Sequence, residues 1–168
     1  MTVVAVERFG GGGELVGTFV SAIGAGAFVA SLLLSFLSER IAQSRTTLIS
    51  VACGVVSFLA TALATAPVVM IISRFAWGTF YTILIINNVT IRQTILPDAF
   101  QARVNSTART IAWGGEPVGA GLAALLLKFG SDHATLIAVS IPFILAAVIA
   151  PFTPLKKSEL VPISEPTV

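Results

Sequence analysis

The chain has 168 residues, of which 55% are hydrophobic and only 11% charged, with a formal net charge of +2. Soluble domains carry about 25% charged residues, so this composition excludes an ordinary soluble domain and predicts an all-α polytopic membrane protein. The pI near 9.1 then reflects loop Lys and Arg that bias membrane topology, not affinity for nucleic acid.

The first fourteen residues hold a short apolar stretch, a balanced Glu7/Arg8 pair and four glycines. A signal peptide needs positive charge first, then an apolar core and a small-residue cleavage site, and that order is absent. Residues 1–14 read instead as an outer segment or the end of a preceding helix. Five apolar runs follow in residues 15–153: Leu15–Leu37, Thr47–Ala66, Val68–Ile91, a fourth from about Arg109 to Leu127, and Ala134–Thr153. Pro67 divides the second from the third. At 1.5 Å rise per residue each can cross a hydrocarbon layer about 30 Å thick. Only helices satisfy backbone groups there within one segment, so five transmembrane helices are expected. Residues 154–168 form a polar, proline-rich tail.

Orientation follows from the basic residues. With the N-terminus outside, the inner loops and tail contain Arg40, Arg45, Arg92, Arg103, Arg109, Lys156 and Lys157, and the outer side only Arg8 and Lys128. Seven against two predicts a cytoplasmic tail. In the inner connection, Pro97 stops the third helix. Asp98-Ala99-Phe100-Gln101 has capping-box spacing, with Asp98 as N-cap and Gln101 reaching back, so the fourth helix begins near Ala99. Gly26-x-x-x-Ala30 and Gly115-x-x-x-Gly119 are spaced for close approach of helix backbones.

The second and fifth spans carry no charge, whereas the third contains Arg74 and the fourth Glu116. A charge at mid-membrane costs roughly 2.5–3.5 kcal/mol on insertion scales, so such residues face a cavity or a partner. At 100° per residue, Arg74, Trp77, Tyr81, Asn88 and Arg92 fall within about 60° of one another, with Asn87 on the other side. This stripe either lines a solute path or seals a polar helix interface. In the fourth span, Gly114-Gly115 beside Pro117 weakens the hydrogen-bond ladder and predicts a kink. Glu116 at that kink either binds and releases a proton or is a structural acid paired with a neighbouring base. Arg74 lies roughly 9 Å and Glu116 roughly 16 Å from the outer ends of antiparallel helices. The difference of about 7 Å is within reach of a long arginine, so the two are expected to approach each other.

Other chemistry finds no support. Cys53 stands alone in an apolar run, a small hydrophobe between helices. His133 has only Asp132 near it, and no metal-ligand spacing occurs. There is no phosphate-binding glycine loop, no H-E-x-x-H and no Ser/His/Asp set, so no catalytic residue, metal or cofactor is expected, and no enzyme. Asn88-Val89-Thr90 and Asn105-Ser106-Thr107 match glycosylation acceptors by chance, one being intramembrane and the other cytoplasmic.

The stretch NNVTIRQTILPDAFQARVNSTARTIAWGGEPVGAGL (87–122) resembles the region joining the tenth and eleventh helices of major facilitator superfamily exporters. The resemblance is to the bacterial branch of siderophore and multidrug efflux proteins. It is carried by Arg92-Gln93, Pro97-Asp98, Arg103-Val104-Asn105 and Trp113-Gly114 followed by Pro117-x-Gly119. Residues 9–40 likewise resemble the outer loop and eighth helix. Glu39-Arg40 and Arg45 stand where that family has an acidic-and-basic cytoplasmic loop, with Ala42 where glycine is usual.

The resemblance implies that the five helices correspond to helices eight to twelve of a twelve-helix fold, with the eighth, tenth and eleventh lining the cavity. It implies a proton-coupled exporter of a small amphipathic solute, drug or siderophore-like, in a bacterial inner membrane. The solute and proton path would use Arg74, Trp77, Tyr81, Asn88 and Glu116. Cytoplasmic gating loops would use Glu39, Arg40, Arg45, Arg92, Asp98 and Arg103. The expected partners are membrane lipid, a small-molecule substrate and an N-terminal transporter half, encoded upstream in the same gene or as a separate chain. Nucleic acid is not expected. The alternative is a truncated or split fragment with a packing role and no transport alone.

Overall fold

Each apolar run folds as one helix in the computed structural model, which describes residues 9–37, 40–130 and 132–152, without the side chains of 132–134. Residues 1–8 of the outer segment, Glu39, the His133 side chain and the tail with Lys156 and Lys157 lie outside this description. The helices are α1 (Gly13–Leu37), α2 (Gln43–Leu63), α3 (Pro67–Ile95), α4 (Asp98–Phe129) and α5 (Asp132–Ile149), with a 3-10 turn over Ala150–Phe152. All five are long and apolar enough to cross a membrane. No strand occurs among the described residues.

The boundaries follow from local chemistry. Pro67 opens α3 after an extended Ala66 (φ −124°, ψ 146°), because its missing N–H falls where a helix has no acceptor for one. Proline also biases the residue before it away from helix, which ends α2 at Leu63 and not at the expected Ala66. α2 begins at Gln43, four residues before the apolar run, and α3 continues four residues beyond Ile91, since helices outlast their apolar windows into the interface.

The expected capping box is not formed. Pro97 takes the N-cap position and Asp98 is already helical, so its carboxylate caps nothing. Gln101 does reach back, but its Nε2 donates to the Asp98 side chain (2.9 Å) and to the Leu96 carbonyl at the end of α3 (3.2 Å). The contact ties the two helices at their connection.

Phe19, Phe58, Met70, Ile83 and Leu136 are buried, but the interior differs from a water-soluble core in how many small polar residues it holds and how many large apolar ones stay outside. Thr46, Thr47, Ser50, Ser57, Thr61, Ser73, Thr79, Asn87 and Ser140 are buried, while Phe28, Leu32, Ile72, Ile111, Leu122 and Val148 are exposed. Lipid is as apolar as leucine, so large side chains gain nothing by turning inward, and small or hydroxylated residues take the helix interfaces. Several of the hydroxyls bond within their own helices: Ser57 donates to the Cys53 carbonyl (2.7 Å), Thr61 to Ser57 (3.0 Å) and Thr79 to Phe75 (3.0 Å). Cys53 itself is half-buried in α2.

α3 is the hub, packed on α1 and α2, and α2 also packs on α5. At the α1–α3 crossing two glycines face opposite backbones. A Cβ on Gly26 would strike the Phe75 carbonyl oxygen and the Thr79 nitrogen (2.9 Å), and one on Gly78 would strike the Ile23 carbonyl oxygen and Cα (2.9 Å). Ala30, one turn beyond Gly26, is fully buried. The expected close approach through Gly26 and Ala30 is therefore present, with Gly78 as its counterpart. The same expectation for Gly115 and Gly119 is not met: both face open space, because α4 stands away from the bundle with no buried residue. α2 and α3 are joined by Asn87, whose Nδ2 donates to the Gln43 carbonyl (2.8 Å) and the Thr47 hydroxyl (2.7 Å).

Candidate functional site

α4 leaves the bundle at its connection to α3, and the two helices enclose a groove of about 760 Å³. From α3 the groove takes Tyr81, Leu84, Ile85, Asn88, Val89, Arg92 and Gln93. From α4 it takes Ala102, Asn105, Ser106, Ala108, Arg109, Ala112, Trp113 and Glu116. The volume is that of a small-molecule site.

Its polar groups are graded along its length. Near the α3–α4 connection stand Arg92, Gln93, Asn105, Ser106 and Arg109. The Arg92 Nε donates to the Asn88 carbonyl of its own helix (3.2 Å), and the Arg109 guanidinium lies 6.0 Å from the centre of the Trp113 ring. The middle is apolar, with Leu84, Ile85, Val89, Ala108 and Ala112. Tyr81, Trp113 and Glu116 line the far end. The Asn88 amide donates to Leu84 of its own helix (2.9 Å).

Beyond Tyr81, α3 packs into a cluster of rings. Tyr81 stacks on Trp77 (5.3 Å between centroids, 14° between planes), and Trp77 meets Phe58 of α2 and Phe143 of α5 edge-on at 5.2 Å each. Phe58 and Phe143 stack on each other at 5.3 Å. Arg74 lies one turn further along α3, buried to 5% exposure and outside the groove.

Comparison with protein families matches the Major Facilitator Superfamily over residues 1–166. The chain belongs to the Major Facilitator Superfamily. Members of this superfamily are membrane transporters, not enzymes, so the five helices are those of a multi-pass transport protein. No curated protein and no solved structure matches the chain.

In this superfamily chain the expected stripe on α3 divides in two. Tyr81, Asn88 and Arg92 line the groove together with Glu116, whereas Trp77 is a packing residue of the aromatic cluster and Arg74 lies behind it. The helical wheel places all five on one side, but it cannot register which of them neighbouring helices cover: Phe58 and Phe143 pack on Trp77, while Tyr81, Asn88 and Arg92 stay open to the groove. The expected approach of Arg74 and Glu116 is not found: no ion pair joins them, and only Glu116 faces the groove. Gly114, Gly115 and Pro117 lie within a helix that runs unbroken from Asp98 to Phe129. Pro117 removes the donor that the Trp113 carbonyl would otherwise receive.

Of the expected gating residues, Arg40 lies over the Phe36 ring (4.4 Å) just past α1, and Arg45 is exposed in the first turn of α2. Asp98 holds Gln101, and Arg103 offers its carbonyl to Ser106 and Thr107 (2.9 Å each). No ion pair joins these residues among those described.

Arg109, Trp113 and Asn105 complete the groove and were missing from the sequence-based path. Their signal was present: Ala102, Asn105, Arg109, Trp113 and Glu116 recur at helical spacing on one face of α4.

Proposed function

We propose that this chain is the C-terminal part of a proton-coupled exporter that moves a small amphipathic solute out of a bacterial cell. It would reside in the inner membrane with the N-terminus outside and the tail in the cytoplasm. The observation that carries the reading is the groove between α3 and α4. Glu116 stands in a segment that crosses hydrocarbon, where a polar group is costly unless it faces water or a solute, and Asn88, Arg92 and Arg109 line the same groove toward its connection end. Glu116 at the far end is the proton-carrying group in this reading, beside the carbonyl that Pro117 leaves free. The seven-to-two bias of basic residues supports the orientation, and the resemblance of residues 87–122 supports the efflux branch.

α4 buries no residue, which favours a partner that covers it. That partner is a six-helix N-terminal half, and alternating access places the solute site between the two halves. The same exposed helix favours the second reading, a fragment that packs in the membrane and transports nothing alone. The test is dye export from an efflux-deficient bacterium, with ethidium, a neutral dye and fluorescein as probes. The chain co-expressed with an N-terminal half should export at least one of them, and a protonophore should abolish export. The chain alone should export none. No export of any dye by the pair would overturn the transport reading, and export by the chain alone would overturn the need for a partner.

A further inference from the structure

Two arginines open onto the groove and one carboxylate lies at its far end. Among the described residues no acidic side chain pairs with either arginine: Arg92 bonds only to the backbone of its own helix, and Arg109 rests toward the Trp113 ring. A guanidinium stays protonated, so the α3–α4 connection end of the groove is permanently cationic. Both arginines stand toward the α3–α4 connection, and an anion seated between them would accept charge-assisted hydrogen bonds from both at once.

The next stretch of the groove is a flat apolar slot. Trp113 is 68% exposed, so its ring is available to another ring, and Tyr81 lines the same groove from α3 with one side stacked on Trp77. Exposed aromatic faces favour planar aromatic ligands in offset or edge contact. Glu116 comes last. Seven residues separate it from Arg109, a rise of about 10 Å along the helix, and its carboxylate accepts hydrogen bonds.

We propose that the solute of this groove is an elongated aromatic anion. Its acidic group sits between Arg92 and Arg109, its ring system against Trp113 and Tyr81, and a hydroxyl or amine at its other end donates to Glu116. The proposal rests on the groove being the solute path, and it adds the order of charge, ring and donor. A cation is disfavoured, because it meets two like charges before reaching the single carboxylate.

The test is equilibrium binding to the full chain in phosphatidylcholine nanodiscs, read by probe anisotropy. The probe is a hydroxynaphthalene sulfonate with its two groups at opposite ends. Naphthol, naphthalene sulfonate and naphthyl trimethylammonium lack the acid, lack the donor and reverse the charge, respectively. The hydroxy sulfonate should bind about a hundredfold more tightly than naphthol or the ammonium probe, as a charge-assisted contact to each of two arginines implies.

Arg92→Gln and Arg109→Gln should each weaken sulfonate binding about tenfold and leave naphthol unchanged. Glu116→Gln should erase the preference for the hydroxy sulfonate over plain naphthalene sulfonate. The probe series needs no variant, so it stands even if a variant fails to fold. Equal or tighter binding of naphthyl trimethylammonium would overturn the proposal, as would arginine variants with unchanged sulfonate affinity. Displacement of the sulfonate when phosphatidylglycerol enters the nanodisc would also overturn it, assigning the arginines to a lipid headgroup. Failure of the two readings is distinguishable. Sulfonate binding without dye export removes the transport reading and keeps this site, whereas export of ethidium without sulfonate binding does the reverse.

Discussion

Gly26→Ala should weaken this protein out of proportion to the single methyl it adds. The new Cβ would meet the Phe75 carbonyl oxygen, the Thr79 nitrogen at 2.9 Å and the Thr79 hydroxyl oxygen at 3.0 Å. Two of these are backbone atoms, and the hydroxyl is already held by the Phe75 carbonyl at 3.0 Å, so no flexible group can swing aside. α1 and α3 must separate instead, and overpacking of this kind costs about 1–3 kcal/mol. Replacing glycine by alanine in a helix interior returns up to about 1 kcal/mol. A backbone obstruction belongs at the upper end of the overpacking range, so the net loss is about 2 kcal/mol. Gly78→Ala obstructs the same crossing from the other helix and should cost as much. Because either change already parts the helices, the double variant should cost about 1 kcal/mol less than the sum. The assay is reversible unfolding in mixed micelles under increasing dodecyl sulfate, followed by circular dichroism. Gly115→Ala and Gly119→Ala, which meet nothing within 4 Å, serve as controls and should be neutral or slightly stabilising. The reasoning is refuted if Gly26→Ala lies within about 0.5 kcal/mol of the parent, or if the controls lose as much.

Asn87→Leu removes the two hydrogen bonds from α3 to Gln43 and Thr47. Interhelical bonds in membranes average about 0.6 kcal/mol each, so the loss should be about 1 kcal/mol in the same unfolding assay. Phe143→Ala breaks the ring contacts with Phe58 and Trp77 and should cost about 1–3 kcal/mol on the aromatic pairs alone. A smaller loss would mean that α5 is held by other contacts. Arg74→Gln and Glu116→Gln should be additive within about 0.5 kcal/mol, since Arg74 is buried outside the groove that Glu116 lines and no ion pair joins them. A larger coupling in a double-mutant cycle would restore a direct interaction. In a Cys53→Ala background, cysteines at Ala99 and Gly130, at opposite ends of α4, should react with impermeant maleimide from opposite faces of the membrane. Labelling from one face would refute the spanning topology.

The sequence by itself determined that the chain crosses a membrane five times and where each crossing begins and ends to within a few residues. Hydrocarbon leaves the backbone no alternative to helix, and Pro67 and Pro97 act through their own missing N–H and fixed φ, which are local properties. Gly26 was legible as a close-approach residue for a similar reason: small residues matter in membranes because the helix backbones are what meet there.

Tertiary structure alone decided which of several equivalent signals is used. Gly26-x-x-x-Ala30 and Gly115-x-x-x-Gly119 look alike in sequence, yet one lies at the α1–α3 crossing and the other faces open space, because helix placement is set by every interface together. The same holds for the α3 stripe. The periodicity puts Arg74, Trp77, Tyr81, Asn88 and Arg92 on one face, but a face becomes a groove only where a neighbouring helix diverges. α4 stands off beside Tyr81, Asn88 and Arg92, while Phe58 and Phe143 pack on Trp77, so three of the five stripe residues line a cavity and two are packed away from it. Arg109 and Trp113 joined the site for the complementary reason: their positions on α4 gain a function only when α3 presents the opposite wall.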